Sequence, residues 1–247
     1  MITCIVWGAG GRMGGRCIKK ILDDDRFKLS QAIDLCDQGC IGKDSGELHG
    51  YPRTGIPVRS YPVDPQTKGV VIEFSLPDGP ACAAEWAMHN NWGLISGTTS
   101  LTKSDKHMLE KASEKIPVLW APNFSLGILM LLKVIGDINT NLPDAFDVTI
   151  HESHHKMKKD RPSGTAKAIQ QKITTSSDKR RFLDLSSSRA SMIVGEHCVR
   201  FISPFEELTV SHRAFDRDVF VAGALEAANW LINQNPGYYS MNDFLTP

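Results

Sequence analysis

The segment from residue 152 to residue 165 contains the densest group of reactive side chains in the sequence. It reads Glu-Ser-His-His-Lys-Met-Lys-Lys-Asp-Arg-Pro-Ser-Gly-Thr. His154 and His155 can exchange protons near neutral pH, and fixed positive charge follows at Lys156, Lys158, Lys159 and Arg161. The closing Pro-Ser-Gly-Thr is typical of a helix N-terminus, whose bare N–H groups can bind a carboxylate or a phosphate. The segment therefore predicts a site that binds an anionic substrate and gives it a proton.

A glycine-rich turn near the N-terminus forms a second candidate site. Residues 2–6 are rich in β-formers, and 12–22 carry apolar residues at helical spacing. The turn between them, residues 8–14, reads Gly-Ala-Gly-Gly-Arg-Met-Gly and fits G-x-x-G-x-x-G rather than the strict G-x-G-x-x-G pattern. Small residues let the backbone approach a pyrophosphate, whose charge the N-terminus of the next helix stabilises. We interpret the turn as dinucleotide-binding.

Two further features support a dinucleotide site. Asp34 ends the second predicted strand, where a carboxylate can bind the adenosine ribose hydroxyls. Gly97-Thr98-Thr99 directly follows a later strand, and open α/β sheets bind ligands at the carboxyl ends of their strands. Asp34 would repel the 2′-phosphate of NADP and is followed by Leu35 rather than a cation, so NADH is the favoured cofactor. NADPH stays open because Arg12 lies within the glycine turn.

The composition argues against several classes of protein. The 28 basic residues balance the 28 acidic ones, so no net charge favours binding to nucleic acid. The longest apolar run, 126–135, is about half of the ~20 residues that span a bilayer, so we expect no membrane segment. The N-terminus lacks the basic region of a signal peptide, which favours a cytoplasmic protein. Cys36 and Cys40 are close but lack C-x-x-C spacing, and no metal site is expected.

Apolar periodicity predicts two domains. Strands alternate with helices in the first half, which predicts an α/β domain with a Rossmann-like, doubly wound parallel sheet. Strands outnumber helices in the second half, which favours an α+β domain with a mixed or antiparallel sheet. We place the dinucleotide-binding domain at 1–125 and the second domain at 126–215. A long final helix opens the segment 216–247, which is expected to return to the first domain.

The predicted elements have the following bounds. The strands are 2–6, 28–33, 70–74, 94–96, 118–120, 146–151, 198–202 and 208–212. The helices are 12–22, 81–90, 104–115 with Ser104 as the N-cap, 126–138, one that starts at Thr165, and 216–233. Ser186-Ser187-Ser188 is predicted to be a loop.

Residues 152–166 resemble the signature of the dihydrodipicolinate reductase family, also called 4-hydroxy-tetrahydrodipicolinate reductases. The resemblance covers nearly the whole chain. It includes the glycine turn 8–14, Gly97-Thr98-Thr99, Ala121-Pro122-Asn123-Phe124-Ser125, Val194-Gly195-Glu196-His197, Arg217 and Ala222-Gly223-Ala224. It implies reduction of a cyclic dihydropyridine dicarboxylate, made from aspartate semialdehyde and pyruvate, on the route to diaminopimelate and lysine.

The resemblance also implies a role for each matching residue. His154 is the expected proton donor and Lys158 the second catalytic group. The substrate carboxylates are expected at His155, Ser163, Gly164 and Thr165. The cofactor-binding residues are expected to be Gly8, Ala9, Gly10, Gly11, Arg12, Met13, Asp34, Gly97, Thr98, Thr99, Ala121, Pro122, Asn123 and Phe124. The resemblance further implies a homotetramer assembled through the second domain's sheet. We expect hydride transfer to occur in a cleft between the two domains.

Some features leave the family pattern or have a simpler interpretation. Arg161 stands before Pro162 where the family has a small residue, and 173–193 is short for the family. Ser163 or Thr165 can cap a helix without binding a ligand, and His151, His197 and His212 are interpreted as structural. Two other functions stay open: a two-domain dehydrogenase of aspartate or homoserine, and a regulator that senses NADH without turnover.

Overall fold

The computed structural model of the chain describes residues 1–35, 39–65, 67–178 and 181–245. Two compact units are present: the first comprises Met1–Phe124 and the segment from Phe220 onward, and the second is Ser125–Val219. The strands are β1 (Ile2–Trp7), β2 (Phe27–Ile33), β3 (Val58–Arg59), β4 (Gly69–Glu73), β5 (Gly93–Ser96), β6 (Pro117–Trp120), β7 (Asp147–His154), β8 (Leu183–Arg189), β9 (Gly195–Ile202), β10 (Glu207–Ala214) and β11 (Gly237–Tyr239).

The helices connect these strands. They are α1 (Arg12–Leu22), α2 (Gly79–Asn90), α3 (Lys103–Ser113), α4 (Leu126–Asn141), α5 (Gly164–Thr175), α6 (Asp218–Leu231) and α7 (Met241–Phe244), with a 3-10 turn at Glu47–His49. None of the helices in the described part of the chain is long and apolar enough to cross a bilayer.

The first unit is a seven-stranded parallel sheet in the order β11-β6-β5-β4-β1-β2-β3. The order reverses direction beside β1, as in doubly wound nucleotide-binding folds. The central strands are mostly apolar because helices cover both faces of such a sheet; Val70, Val71 and Ile72 are fully buried. The predicted fold class is confirmed for this unit.

The second unit is a four-stranded sheet in the order β10-β9-β7-β8. β7 pairs with β8 in parallel and with β9 antiparallel, so the sheet is mixed. Helices α4 and α5 contribute Ile135 and Ile169 to one core with Val148, Val199 and Phe201 of the sheet. The prediction of an α+β unit with a mixed or antiparallel sheet is confirmed as mixed.

Three local predictions are wrong. Thr102, not Ser104, caps α3, because Thr102 and Asp105 form a reciprocal capping box. Residues 186–188 belong to β8 rather than to a loop, since the edge of β7 supplies a partner for each serine. β7 continues to His154 instead of ending at His151, because β8 pairs with it as far as Arg189. The two strand errors reflect partners that lie far away in the sequence, whereas the cap of α3 is a local pair that the sequence analysis missed.

Candidate active site

Glu152 and His154 form a buried pair at the end of β7. Side chains alternate along a strand, so both lie on the face of the sheet that carries the core. Glu152 is fully buried and His154 is 8% exposed. One Glu152 oxygen, Oε2, binds Nδ1 of His154, and the other lies 2.8 Å from Nη2 of Arg189. Glu152 therefore joins a fixed cation to a titratable ring.

The charge state of Glu152 decides which nitrogen of His154 carries a proton. Burial by itself raises the pKa of Glu152, but hydrogen bonds from Arg189, Ser187 and His154 outweigh it and lower the pKa to about 2. An ionised carboxylate can only accept hydrogen bonds, so Nδ1 of His154 is the donor. Nε2 is consequently the nitrogen that gains or loses a proton.

The pKa of His154 itself is lowered. Burial is the largest cause, Glu152 opposes it, and the positive charges of Lys158 and Arg189 add to it. A lowered pKa makes the protonated ring a stronger acid, provided that a proton reaches it.

Gly195 in β9 borders Nε2 of His154. A Cβ atom at this position would lie only 3.1 Å from Nε2. Glycine thus leaves room for a reacting atom beside the one nitrogen of His154 that Glu152 does not hold.

His197 contacts the ring of His154. The two ring centroids are 5.3 Å apart and the planes cross at 75°. His197 is 4% exposed, and within the described residues neither of its ring nitrogens has a hydrogen-bond partner. Burial and the neighbouring His154 lower its pKa to about 4. The sequence interpretation gave His197 a structural role and did not anticipate its place beside His154.

Lys158 lies in the loop that follows β7. Its ammonium group is 2.8 Å from the carboxylate of Asp160, and Arg189 donates to the backbone carbonyl of Asp160 at 2.5 Å. Burial raises the pKa of Asp160, but the hydrogen bond and the charge of Lys158 lower it overall. Arg189 therefore ties the loop that carries Lys158 to the strand that carries His154.

The Pro-Ser-Gly-Thr segment begins helix α5. Ser163 is the N-cap, and its hydroxyl oxygen accepts a hydrogen bond from the Ala166 N–H at 3.1 Å. The side chain of Ser163 thus has a structural role, as the capping alternative predicted. No atom lies within 4 Å of the Cβ position of Gly164, so the backbone at the start of α5 is accessible. The first N–H groups of a helix have no intrahelical acceptor and suit an anion.

Arg217 and His155 lie together in the second unit. Nη2 of Arg217 is 3.5 Å from Nε2 of His155. Arg161, where the sequence leaves the family pattern, is exposed. The structure places His155 and Arg217 together, whereas the sequence suggested no link between them.

The glycine turn has the geometry that a pyrophosphate requires. Gly8 has φ of +86°, and a Cβ atom there would collide with the carbonyl of Phe74. A Cβ atom at Gly14 would collide with the carbonyl of Gly8. Gly11 is the N-cap of α1 and provides no side-chain cap, so the first turn of the helix has no capping side chain. These residues fit a dinucleotide phosphate.

Asp34 stabilises the glycine turn through a hydrogen bond. Its Oδ2 accepts a hydrogen bond from the Gly10 N–H at 2.8 Å. A Cβ atom at Gly10 would lie 3.0 Å from the same oxygen and closer still to the sulfur of Cys40. Asp34 therefore fixes the turn, in addition to the ribose contact that the sequence predicts for it.

Glu73 links the loops that follow β4 and β5. This carboxylate is fully buried and accepts hydrogen bonds from Ser75 N (2.5 Å), Ser75 Oγ (2.6 Å), Ser96 Oγ (2.6 Å) and Thr98 Oγ1 (2.7 Å). The side chain of Thr98 thus points into the protein. Thr99 is exposed. The sequence analysis did not identify Glu73.

The segment 121–124 lies next to these loops. Phe124 is buried and packs edge-on against Phe74, with 6.0 Å between ring centroids. A Cβ atom at Gly223 of α6 would collide with the Phe124 carbonyl, so glycine lets this helix approach the segment. Trp120 donates to the Thr98 carbonyl at 3.0 Å. Ala121 is buried, whereas Pro122 is exposed.

Family models match both units of the chain. The model described as "Dihydrodipicolinate reductase, N-terminus" matches residues 2–124, and the corresponding C-terminal model matches residues 127–245. The chain belongs to the dihydrodipicolinate reductase family. Its members are NAD(P)H-dependent oxidoreductases of lysine biosynthesis, so the resemblance stated from the sequence is confirmed.

Individual relatives agree with this membership. The 4-hydroxy-tetrahydrodipicolinate reductase of Geotalea uraniireducens is 33% identical over 99% of both chains. That of Bradyrhizobium diazoefficiens is 33% identical over 98% of this chain and 96% of its own. A dipicolinate-bound dihydrodipicolinate reductase from Paenisporosarcina sp. TG-14 has the same fold, with a TM-score of 0.76, 20% identity and 97% coverage of each chain.

The cluster in this family member resembles a metal site in one respect. Glu152, His154 and His197 offer ligand atoms that all lie within 4.8 Å of one another. However, Arg189 already neutralises Glu152 at 2.8 Å, and the site is rich in positive charge. The sequence prediction of no metal stays a prediction, and Cys36, which was part of it, lies outside the described residues.

Replacing Glu73 by glutamine tests whether the buried carboxylate holds the two loops. We expect the free energy of unfolding of the first unit to fall by about 1–3 kcal/mol, because an amide cannot accept all four hydrogen bonds. Hydrogen exchange at the backbone amides of β4 and β5 measures this loss of unfolding free energy. Glu85→Gln, at an exposed position of α2, is the matched control, with little change expected. Equal effects of the two substitutions would contradict this role of Glu73.

Proposed function

We propose that the chain reduces 4-hydroxy-tetrahydrodipicolinate to tetrahydrodipicolinate and that His154 donates the proton. Bound NAD(P)H supplies the hydride. The hydroxyl group of the substrate leaves as water, which gives a ring with a conjugated C=C–C=N system. Addition of the hydride to this system places electron density on the neighbouring carbon, which must then be protonated. The observation that carries the proposal is the buried Glu152–His154 pair, which directs Nε2 toward the space beside Gly195.

Each residue of the cluster has a distinct part in the proposed reaction. Glu152 orients His154 and keeps the proton on Nδ1, so that only Nε2 exchanges its proton. Lys158 stabilises developing negative charge or assists protonation. His155, together with the N–H groups of Gly164 and Thr165 at the start of α5, holds the substrate carboxylates. The hydroxyl of Ser163 supports this turn as the helix cap.

The proposed function is tested by supplying the substrate in place. The purified chain is mixed with NADH or NADPH and with the preceding synthase, aspartate semialdehyde and pyruvate, and loss of nicotinamide absorbance is followed. Absorbance should fall only when the complete mixture is present. No loss with either cofactor would contradict the proposed reaction.

NADH is the proposed preferred cofactor. Asp34 adjoins the glycine turn through Gly10, and its charge opposes a 2′-phosphate in that region. Leu35 is 38% exposed and offers no compensating cation. Arg12 is exposed and permits use of NADPH as well.

Leu35→Arg is expected to shift the cofactor preference toward NADPH. A guanidinium can pair with the 2′-phosphate, and a gain of about 1 kcal/mol corresponds to roughly fivefold in kcat/KM for NADPH. Leu22→Arg, an equally exposed leucine on α1, is the control for added charge alone. If both variants gain equally in kcat/KM for NADPH, the cofactor preference does not depend on residue 35.

We further propose that the protein is a cytoplasmic homotetramer. Several large apolar side chains of the second unit are exposed, which is typical of a surface that associates: Met192, Phe182, Phe205, Leu208 and Phe215. Light scattering of the purified chain gives its mass directly. A mass of one subunit at micromolar concentration would contradict the tetramer.

A further inference from the structure

A row of ionisable side chains crosses the four-stranded sheet where its apolar core ends. Ile150 of β7 is opposite Val199 of β9 in the last apolar row. Two residues further along the same face, Glu152 is opposite His197, and His197 is opposite His212 of β10. Because a core face is normally apolar, three titratable groups in one row require a reason.

We propose that this row is a proton relay, in which His212 and His197 return a proton from solvent to His154 after each turnover. The inference rests on the proposed role of His154 as the proton donor. It adds two residues to the reaction: His197, which contacts the ring of His154, and His212, which is partly exposed.

The need for a relay follows from the burial of His154. After protonating the substrate, the ring is neutral and must regain a proton at Nε2, because Nδ1 is held by Glu152. Only 8% of His154 is exposed, so direct exchange with bulk water is restricted. A neighbouring imidazole can accept a proton at one ring nitrogen and release it from the other, and so carry protons between bulk water and His154.

His197 has the properties of such a group. It is 96% buried, yet neither ring nitrogen has a partner among the described residues, which is rare for buried polar atoms. A ring nitrogen of His197 lies within 4.8 Å of one of His154, a distance that one water molecule bridges. A Cβ atom at Gly195 would lie 3.1 Å from His154 Nε2 and 3.8 Å from His197 Cε1, so glycine keeps the space between the rings open.

His212 connects the row to solvent. Its ring centroid is 6.4 Å from that of His197, and the residue is partly exposed. Nε2 lies 3.3 Å from the hydroxyl of Ser125, whereas Nδ1 has no partner in the part of the chain that the structure describes. His212 is therefore the partly exposed end of the row: its Nε2 contacts the Ser125 hydroxyl, and its buried Nδ1 is left to exchange a proton within the row.

The proton balance of the relay is simple. For each turnover one proton leaves His154 for the substrate and one enters at His212, while no electron moves along the row. Glu152, Lys158 and Arg189 are the charged groups that act on the rings of His154 and His197. Burial, together with the neighbouring His154 and His212, lowers the pKa of His197 to about 4. A proton therefore passes through His197 without resting there.

The relay is tested with His197→Asn in the full-length enzyme. In weakly buffered solution we expect kcat to fall by about tenfold, equivalent to ~1.4 kcal/mol, with KM for the substrate and the NADH dissociation constant unchanged. Imidazole at high concentration should restore kcat, because a small diffusible acid replaces the missing carrier. A purely structural role of His197 would give no such rescue.

Two further variants and a control complete the experiment. His212→Asn should give a smaller loss that imidazole also restores, and Gly195→Ala should slow turnover with both histidines present. Cys198→Ser, on the opposite face of β9, should leave kcat unchanged. Unchanged kcat in His197→Asn, a rise in KM instead of a fall in kcat, or a loss without rescue would each overturn the relay. If the wild-type chain itself shows no reductase activity, the proposed function is contradicted rather than the relay.

Discussion

Replacing His154 by glutamine is expected to lower kcat by roughly 10²–10⁴, the usual contribution of a positioned general acid. Glutamine is close in size to histidine and can still donate to Glu152, but it cannot give up a proton near neutral pH. The glycine turn lies in the other unit, so the NADH dissociation constant should stay within about twofold. Steady-state rates and calorimetric titration with NADH measure the two quantities.

The matched control for this substitution is His151→Gln. His151 lies on the same strand but on the exposed face, where it bonds the hydroxyl of Ser186 at 2.9 Å. We expect kcat of this variant to be close to that of the wild type. If His154→Gln loses NADH binding along with turnover, or if both variants lose activity equally, His154 is not the proton donor. Lys158→Ala, measured in the same series, should also lower kcat by orders of magnitude.

Replacing Glu152 by glutamine is expected to reduce the free energy of unfolding of the second unit by about 3 kcal/mol. Removing one partner of a buried ion pair leaves the other charge uncompensated, and the Arg189 side chain is only 3% exposed. Hydrogen exchange at the amides of β7 and β9 measures this loss locally. The same variant should lose most of its turnover, because His154 loses the acceptor that fixes its orientation.

Glu196→Gln is the control for this prediction. Glu196 lies next to His197 on β9 and pairs with Arg213 at 2.7 Å, but the Arg213 side chain is 65% exposed and that of Glu196 is 34% exposed. Exposed pairs contribute about 0–1 kcal/mol, so the loss should be small. A similar loss in both variants would mean that burial of the Glu152–Arg189 pair contributes nothing to stability.

The stabilisation by Glu152 is also expected to depend on pH. Its pKa is lowered from 4.5 to about 2 in the folded chain, so the unfolded chain binds the proton at higher pH. The stabilisation is complete above pH 4.5 and is lost as the pH falls toward 2. Measuring Glu152→Gln in the His154→Gln background removes the titration of His154. The difference in unfolding free energy between His154→Gln and the double variant should become smaller below pH 4.5. A difference that does not change with pH would contradict the lowered pKa of Glu152.

Much of the fold and of the family was predictable from the sequence, because the signals are local. The glycine turn requires residues without side chains at fixed positions, and Gly8 indeed has a positive φ. Alternating strands and helices in the first half predict the parallel sheet, since parallel neighbours need a helical crossover between them. The motif around His154 and Lys158 identified the family because its residues are contiguous.

Only the tertiary structure revealed what surrounds those residues. In the sequence, Glu152 resembles one more charge of a polar segment. In the structure, β7 continues through Glu152, and Arg189 of β8 lies opposite His154. Glu73 and His197 have no local motif of their own, and their roles depend on strands that are distant in the sequence. The sequence predicted which groups take part in the reaction, whereas sheet register decided their partners, because register brings together side chains that chain spacing keeps apart.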